Sequence, residues 1–216
     1  TQMLRIQELK LPLDHPEPAL RQAILKRLAL ADQNLTAFTV FKRAYDARKT
    51  SAIQLIYTID ADVKDEASVL KRLEKDKQIG RTPDISYKQV TTAPANTKRP
   101  VVVGMGPCGL FAGLILAEMG FNPIILERGK IVRERTVDTF KFWRKAILDP
   151  SSNAQFGEGG AGTFSDGKLY SQIKDPRHLG RKVLTEFVEA GAPEEILYVS
   201  KPHIGTFRLV SMIEHM

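Results

Sequence analysis

Residues 101–127 read VVVGMGPCGLFAGLILAEMGFNPIILE: two short apolar runs, separated by a glycine-rich turn and a longer apolar stretch. Runs as short and as uniformly apolar as VVV and IIL are typical of strands buried in a parallel sheet. The stretch LFAGLILAEM has the length and composition of a helix, and Gly120 directly after it is a helix-end signal. The segment therefore predicts a strand, a helix and a second strand, the unit from which α/β folds are built.

The turn after the first strand carries the spacing Gly104-x-Gly106-x-x-Gly109. In a Rossmann-type fold the first glycine makes the tight turn, the second lets a pyrophosphate approach the backbone, and the third lets helix and strand pack closely. Pro107 and Cys108 lie at the start of the helix, where unpaired N–H groups favour a bound anion. We therefore expect the phosphates of a dinucleotide at this turn.

Glu127 ends the second strand, where its carboxylate is placed to accept hydrogen bonds from both ribose hydroxyls of a dinucleotide. A carboxylate repels a 2′-phosphate, which disfavours NADP and leaves FAD and NAD as candidates. In an NAD enzyme the first unit normally leads through further strands. Here one polar-faced helix, over about 131–147, leads to a second glycine cluster, and this favours FAD.

That cluster is FGEGGAGTFSDGKLY, residues 156–170, which holds five of the fifteen glycines of the chain. Such a run weakens a fold unless the backbone needs positive φ or lies against something. One interpretation is a loop whose N–H groups line a flavin or phosphate, with hydrogen bonds from Thr163, Ser165 and Asp166 and positive charge from Lys168. The alternative is a flexible loop with a type I′ hairpin turn at Asp166–Gly167.

Residues 1–95 predict a separate domain with the order strand, helix, strand, strand, helix, strand, which is that of the ferredoxin-like α+β fold. Strands are predicted in MLRIQELKL, LTAFTVFKRAYDARK, SAIQLIYTID and ISYKQV, and helices in PEPALRQAILKRLAL and DEASVLKRLEKD. We expect Leu20, Ile24 and Leu28 to share a helical stripe and Asp65 to cap the second helix. The Rossmann-type domain, in its N-terminal part, then occupies residues 96–216.

Positive charge is concentrated in the N-terminal part of the chain. Residues 1–99 hold 18 Lys and Arg against 12 Asp and Glu, a net charge of +6 out of the +7 of the whole chain. The RNA-recognition motif shares this order of elements, but SAIQLIYTIDA has one aromatic residue and no glycine and so lacks its base-stacking strand. A solvated basic face or a domain that docks onto another protein is favoured.

The composition, 43% hydrophobic and 26% charged, is that of an ordinary globular protein. No apolar run approaches the roughly 18 residues of a membrane span. The single cysteine, Cys108, excludes an intrachain disulfide and agrees with a reducing compartment, so we expect a cytoplasmic protein. At the helix start, Cys108 is interpreted as a small packing residue rather than a nucleophile.

Three further patterns follow the second strand. Trp143, with Val137 and Phe140, is assigned to the core. A helix is predicted to begin at Asp175–Pro176 and to end at Gly191. The last pattern, Leu209, Met212, Ile213 and Met216, follows a predicted cap at Thr206 and has no end signal, so we expect the chain to be part of a longer protein.

GMGPCGLFAG, IILERG and FGEGGAGTFSDGKLY followed by KPHIGT resemble a poorly characterised family of bacterial FAD-dependent dehydrogenases. That family belongs to the glutathione-reductase-like superfamily of flavoproteins, and the resemblance covers about residues 100–207. It implies FAD with its adenosine ribose on Glu127, its pyrophosphate on Gly104 to Gly109, and its flavin end near residues 157–168.

We therefore expect an FAD-dependent oxidoreductase that transfers a hydride between an unknown substrate and the flavin, with NADH or NADPH as candidate electron donors. His203 and Lys168 are the candidates for catalysis. His15, His178 and His215 share no metal-ligand spacing, and no metal is expected. The predicted cofactor-binding residues are Gly104, Gly106, Pro107, Cys108, Gly109, Glu127, Arg128, Gly159, Gly160, Ala161, Gly162, Thr163, Ser165, Asp166, Gly167 and Lys168. The alternatives are a nucleic-acid-binding protein that uses its basic N-terminal domain, and a flavin-binding sensor or scaffold without turnover.

Overall fold

The computed structural model describes residues 3–171 and 173–216. The chain divides into two compact units. Unit 1 comprises residues 1–85 together with 197–200, and unit 2 comprises residues 86–196 together with 201–216. The contact boundary thus lies at residues 85 and 86, whereas the composition places it at 95 and 96.

Unit 1 has the predicted order of elements. They are β1 (Leu4–Pro12), α1 (Pro18–Leu28), β2 (Leu35–Asp46), β3 (Gln54–Val63), α2 (Glu66–Arg72) and β4 (Ile79–Arg81). The strands form one sheet in the order β2-β3-β1-β4, and every neighbouring pair is antiparallel. Residues 197–200 add a short parallel contact to β2, where Arg43 N donates to the Tyr198 carbonyl at 2.7 Å.

The last strand differs from the prediction. ISYKQV, residues 85–90, forms no strand, and β4 comes earlier, at Ile79–Arg81. Ile79 pairs with Ile6 of β1, and Thr82 N then donates to the Met3 carbonyl at 2.8 Å. Alternation of apolar and polar residues is a property of any extended segment and does not show which segment finds a strand to pair with.

The core of unit 1 lies between α1 and the sheet. Leu20, Ile24 and Leu28 are buried, as predicted from their spacing. The Asp65 carboxylate accepts the N–H of Ser68 at the start of α2, so the predicted cap is also confirmed.

A buried ion pair joins β1 and β3. The Arg5 guanidinium donates to both carboxylate oxygens of Asp60, at 2.7 and 2.8 Å, and both residues are more than nine-tenths buried. The Thr82 hydroxyl donates to the same carboxylate at 3.1 Å, and Arg5 lies 3.6 Å from the centre of the Phe41 ring. Two opposite charges are thus enclosed with bidentate geometry, which is the favourable arrangement for a buried pair.

Unit 2 begins with the predicted strand, helix and strand. Its elements are β5 (Val101–Val103), α3 (Pro107–Glu118), β6 (Ile124–Leu126), α4 (Val132–Lys145), α5 (Leu179–Glu189) and α6 (Thr206–His215). The strands β5 and β6 are parallel, with Val102 opposite Ile125. Gly120 has φ +84° just beyond α3, which agrees with its predicted role as a helix end. The two units together give a mixed α/β chain.

Two helix starts in unit 2 differ from the prediction. α5 begins at Leu179 rather than at Asp175–Pro176, although the Asp175 carboxylate still accepts the N–H groups of Leu179 and Gly180, at 2.9 and 2.7 Å. His178 precedes the helix with φ +53°, which delays its first turn. Thr206 is not the cap of α6 but its first residue, and its hydroxyl donates to the Ser165 carbonyl at 2.9 Å.

The assignment of Val137, Phe140 and Trp143 to the core is wrong. These side chains are 66%, 40% and 54% exposed, respectively. The buried stripe of α4 is Val132, Arg135 and Thr139, which are also at helical spacing. Hydrophobic spacing therefore identified the helix but not the stripe that faces inward, because the inward stripe is partly polar. The core of unit 2 is instead built largely on α6, with Leu209, Met212 and Ile213 buried.

Candidate functional site

The turn between β5 and α3 leaves the first N–H groups of α3 open. Gly104 has φ +93° and donates its N–H to the Leu126 carbonyl at 2.7 Å, which holds the turn against the end of β6. Gly106 is the N-cap in an extended conformation, and no side chain caps the helix there. Pro107 follows as the first helical residue, so the N–H groups of Cys108 and Gly109 are the first that α3 presents.

The glycines of this turn differ in the space around them. A β-carbon on Gly109 would collide with the Gly104 carbonyl oxygen, so only glycine lets α3 approach the turn this closely. A β-carbon on Gly106 would have nothing nearer than the Gly160 α-carbon, at 3.9 Å, which is ordinary contact. Gly109 is therefore required by the fold itself, whereas the fold alone does not require glycine at position 106.

Glu127 lies beside the same turn. Its two carboxylate oxygens accept the N–H groups of Met105 and Gly129, each at 2.7 Å. Partial burial opposes ionisation of Glu127, but the N–H donors of Gly129, Met105 and Arg128 outweigh it and hold the pKa of the carboxyl below its ordinary value. Each carboxylate oxygen has a second lone pair, so this anchored anion is still able to accept a ligand hydroxyl.

The neighbours of Glu127 and Gly106 are solvent-accessible. Arg128 is exposed, and its guanidinium lies 4.4 Å from the centre of the Phe156 ring. Cys108 is exposed in the first turn of α3.

The second glycine segment lies directly on this turn. Gly159 N donates to the Met105 carbonyl at 2.8 Å. Gly160 has φ +67°, and a β-carbon there would stand 2.9 Å from Pro107 Cδ and 3.2 Å from the Gly106 α-carbon. The structure therefore brings together the two glycine motifs, which are about fifty residues apart in sequence.

The same segment is not a type I′ hairpin. That turn needs positive φ at both central residues, and of the pair Asp166–Gly167 only Gly167 has it, at +69°. A short 3-10 helix over Ala161–Phe164 precedes the pair. Ala161 and Gly162, its first two residues, are exposed. The hairpin alternative is thereby excluded.

Two predicted ligand hydroxyls take part in the hydrogen bonding of the loop itself. Ser165 Oγ donates to the Gly162 carbonyl at 2.7 Å and accepts the Gly167 N–H at 3.0 Å. The Thr163 hydroxyl is buried and accepts from the Arg135 guanidinium at 3.3 Å. Both side chains therefore shape the loop.

Asp166, Lys168 and His203 lie together at the surface. Asp166 Oδ2 is 3.6 Å from Lys168 Nζ and 3.5 Å from His203 Nδ1. A β-bridge joins Lys168 to His203, and the three side chains are each about half exposed. The two candidates for catalysis, 35 residues apart in the chain, are thus neighbours that share one carboxylate.

A cavity of about 250 Å³ adjoins the loop and also touches Lys168. Most of its wall is apolar and comes from α3, α5 and α6, including Leu110, Phe111, Phe187, Leu209, Met212 and Ile213. Its apolar lining is suited to an apolar ring or a small apolar molecule.

Sequence reasoning missed Arg135, the only charged residue that is 0% exposed among those described. It lies in a polar-faced helical pattern, where an arginine that enters the core has the same appearance as one that faces water.

Within residues 3–171 and 173–216, no group of three or more histidine, cysteine or acidic side chains is placed to hold a metal ion. Over the same residues, no helix combines the length and apolar character needed to cross a bilayer.

The chain is similar to one domain family and to one curated protein. Residues 3–62, which run from β1 into β3, match a domain of unknown function, DUF8436. Over 214 residues the chain is 41% identical to an uncharacterized protein of Clostridium beijerinckii, an alignment that covers 99% of this chain and 40% of that protein. The chain thus spans about two fifths of the length of this relative. Neither description names an activity.

Proposed function

We propose that the chain carries the FAD-binding part of a flavin-dependent oxidoreductase. One observation carries the proposal: the uncapped start of α3, the anchored carboxylate of Glu127 and the second glycine segment meet at the carboxyl ends of the parallel strands β5 and β6. Ligands of open α/β sheets bind at this edge. The same observation supports a Rossmann-type fold for unit 2. For unit 1, the order of elements and the antiparallel strand order β2-β3-β1-β4 support a ferredoxin-like fold.

The residues of this edge fit the adenosine diphosphate half of FAD. Cys108 N and Gly109 N, with the positive end of the α3 dipole, are suited to a pyrophosphate. Gly106 has no side chain that would keep a phosphate away from the backbone, and a β-carbon there would meet only the Gly160 α-carbon, at 3.9 Å. Glu127 has lone pairs for ribose hydroxyls and is ionised at neutral pH.

The second glycine segment supports FAD over NAD because it adds a further surface to the site. FAD supplies reversible hydride transfer at its flavin ring. We assign Lys168 to favouring negative charge on that ring and His203, paired with Asp166, to holding or moving a proton. The apolar cavity beside Lys168 is suited to the ring or to a small substrate. NADH or NADPH is the proposed electron donor. A cytoplasmic location is also proposed, supported by the single cysteine of the chain.

The test is a titration of the purified full-length protein with FAD, NAD and ADP, which shares the adenosine diphosphate half of both. We expect FAD to bind most tightly. Gly106→Ala should weaken the binding of FAD and of ADP at least about tenfold, equivalent to 1.4 kcal/mol. The reason is that the new methyl group would occupy space needed by the pyrophosphate. Calorimetry gives the affinities, and chromatography after heat release identifies any bound nucleotide.

Gly106→Ala is a clean variant because its β-carbon has no close contact in the protein. The matched control is Gly80→Ala in β4, where a β-carbon has no neighbour within 4 Å. Tighter binding of NAD than of FAD, or no binding of FAD and ADP, would contradict the proposal. Equal ADP affinity in wild type and Gly106→Ala would place the pyrophosphate elsewhere.

A further inference from the structure

Arg135 of α4 has its charged group fully enclosed beneath the second glycine segment. Its Nε donates to the Asn153 carbonyl at 2.8 Å and its Nη2 to the Ala154 carbonyl at 2.9 Å. Its Nη1 donates to the Glu158 carbonyl at 2.5 Å. One rigid, planar side chain therefore gathers carbonyls from both ends of the segment 153–158.

The rest of the side chain is enclosed by the same loop. Nη1 also donates to the Thr163 hydroxyl, and the guanidinium carbon lies 4.8 Å from the centre of the Phe164 ring. A β-carbon on Gly157 would stand only 2.5 Å from Arg135 Cδ. The absence of a side chain at Gly157 is therefore what admits the arginine stem.

The N–H groups of the Arg135 guanidinium donate to neutral carbonyl and hydroxyl oxygen atoms, not to a carboxylate. Burial lowers the pKa of Arg135 from its ordinary value, while the charges of Glu127 and Glu158 act in the opposite direction. Charge is poorly screened inside a protein, so a buried cation attracts a nearby anion more strongly than an exposed one does.

A short chain of contacts leads from Arg135 to the dinucleotide turn. The Glu158 carbonyl held by Arg135 belongs to the residue before Gly159, whose N–H donates to the Met105 carbonyl at 2.8 Å. Met105 N in turn donates to Glu127 at 2.7 Å. A shift of the segment would therefore be transmitted to the turn and to the carboxylate.

We propose that Arg135 is the positioning residue of the dinucleotide site: it sets the path of residues 153–164 over the turn and provides buried positive charge for a phosphate-bearing ligand. This inference rests on the proposed function. An arginine that only fastened a loop would leave the affinity of the site for phosphates unchanged in a folded variant. The proposed role instead makes that affinity depend on the Arg135 side chain.

The experiment compares ADP with adenosine, which lacks the phosphates, on wild type, Arg135→Met and Arg135→Lys. Methionine fills similar space without charge, and lysine restores the charge but not the fork of donors. We expect Arg135→Met to weaken the binding of ADP at least tenfold and the binding of adenosine much less. The ADP affinity of Arg135→Lys should lie between those of wild type and Arg135→Met. Circular dichroism and the melting temperature report the fold of each variant.

The matched control is Arg133→Met on the same helix, whose guanidinium is largely exposed and paired with Glu214. It should leave ADP affinity unchanged. Wild-type ADP affinity in folded Arg135→Met and Arg135→Lys, or an equal loss for ADP and adenosine, would overturn the inference and leave the proposed function standing. If Arg135→Met does not fold, the loss of ADP affinity relative to the loss of adenosine affinity is measured on Arg135→Lys instead. If the wild type binds neither FAD nor ADP, both proposals fall.

Discussion

Glu127 is held by two backbone N–H groups from opposite sides, Met105 before it in the chain and Gly129 after it. An ionised carboxylate is a stronger acceptor than a protonated one. The folded state therefore favours the ionised form, which is why the pKa of this group is lowered. The same residue thus fixes the turn and forms part of the proposed ribose site.

The lowered pKa of Glu127 makes the stability of the fold decrease as the solution becomes acidic. A carboxyl whose pKa is lower in the folded than in the unfolded state stabilises the fold above its unfolded value, 4.5, and loses that contribution as the pH falls through the folded value. Glu127→Gln should therefore be less stable than wild type at pH 7, and the difference should shrink below pH 4.5. Urea unfolding at a series of pH values measures this difference. A difference that stays constant down to pH 3 would show that the charge of Glu127 contributes nothing.

The buried pair Arg5–Asp60 leads to a second prediction at this scale. Asp60→Asn leaves the Arg5 charge enclosed without a counter-ion, which typically costs about 3–5 kcal/mol. Replacement of both residues, as Arg5→Met with Asp60→Leu, removes that charge and should recover most of the loss. Denaturant unfolding measures all three proteins.

Its control is the pair Arg48–Asp46, in which the arginine side chain is 83% exposed. Arg48→Met should leave the unfolding midpoint nearly unchanged, because exposed pairs contribute little. A double variant as unstable as Asp60→Asn alone would mean that Arg5 and Asp60 contribute by their shape and not by their charge.

At the scale of elements, the contact of α3 with β6 depends on Gly113. A β-carbon there would stand 2.5 Å from Ile125 Cδ1 and 3.3 Å from Cγ1. Gly113→Ala should therefore destabilise unit 2, by about 1–3 kcal/mol as for other overpacked cores. Ile125→Val removes Cδ1, so the double variant should be more stable than Gly113→Ala alone. Thermal unfolding of the four proteins in this cycle tests the contact, and simple addition of the two effects would contradict it.

Short-range signals were enough to predict most elements. The glycine spacing and two apolar runs gave β5, α3 and β6, and helical spacing gave α1 with its buried leucines and isoleucine. The segment 85–90 has the alternation of a strand but lies beyond the part of the chain that pairs with β1. Which extended segment reaches a sheet edge is decided by long-range pairing, which a local pattern does not contain.

In the candidate site, too, local patterns predicted some features and long-range contacts decided the others. The glycines and Glu127 were predicted as site residues from residue types and spacing that have local meaning, and Lys168 and His203 were proposed from motifs that resemble a known family. The packing of Gly160 against Pro107 and the burial of Arg135 were not found, since both depend on segments that meet only in the folded chain. The outward position of Trp143 has the same cause: α4 turns a partly polar stripe inward.

At the scale of the whole molecule, the charge asymmetry bears on the nucleic-acid alternative. Residues 1–99 carry a net charge of +6, which attracts phosphates of any sequence, but SAIQLIYTIDA lacks the glycine and aromatic residues of a base-stacking strand. We therefore expect binding of single-stranded RNA to be weak and blind to sequence, and to fall steeply as salt rises to physiological levels. Fluorescence anisotropy with two unrelated RNA sequences at several salt concentrations measures this. Submicromolar, sequence-selective binding at physiological salt would instead favour the nucleic-acid alternative.

Trp143 is the single tryptophan of the chain, and its ring meets the edge of Phe164 at a centroid distance of 6.0 Å. Phe164 in turn covers Arg135. The intrinsic emission of the protein therefore comes from one indole that is half in water and half against the glycine segment. Excitation near 295 nm gives a label-free optical report on that segment. A rearrangement of the segment would shift the emission maximum, and a flavin bound nearby would quench the emission by energy transfer, since flavins absorb where tryptophan emits.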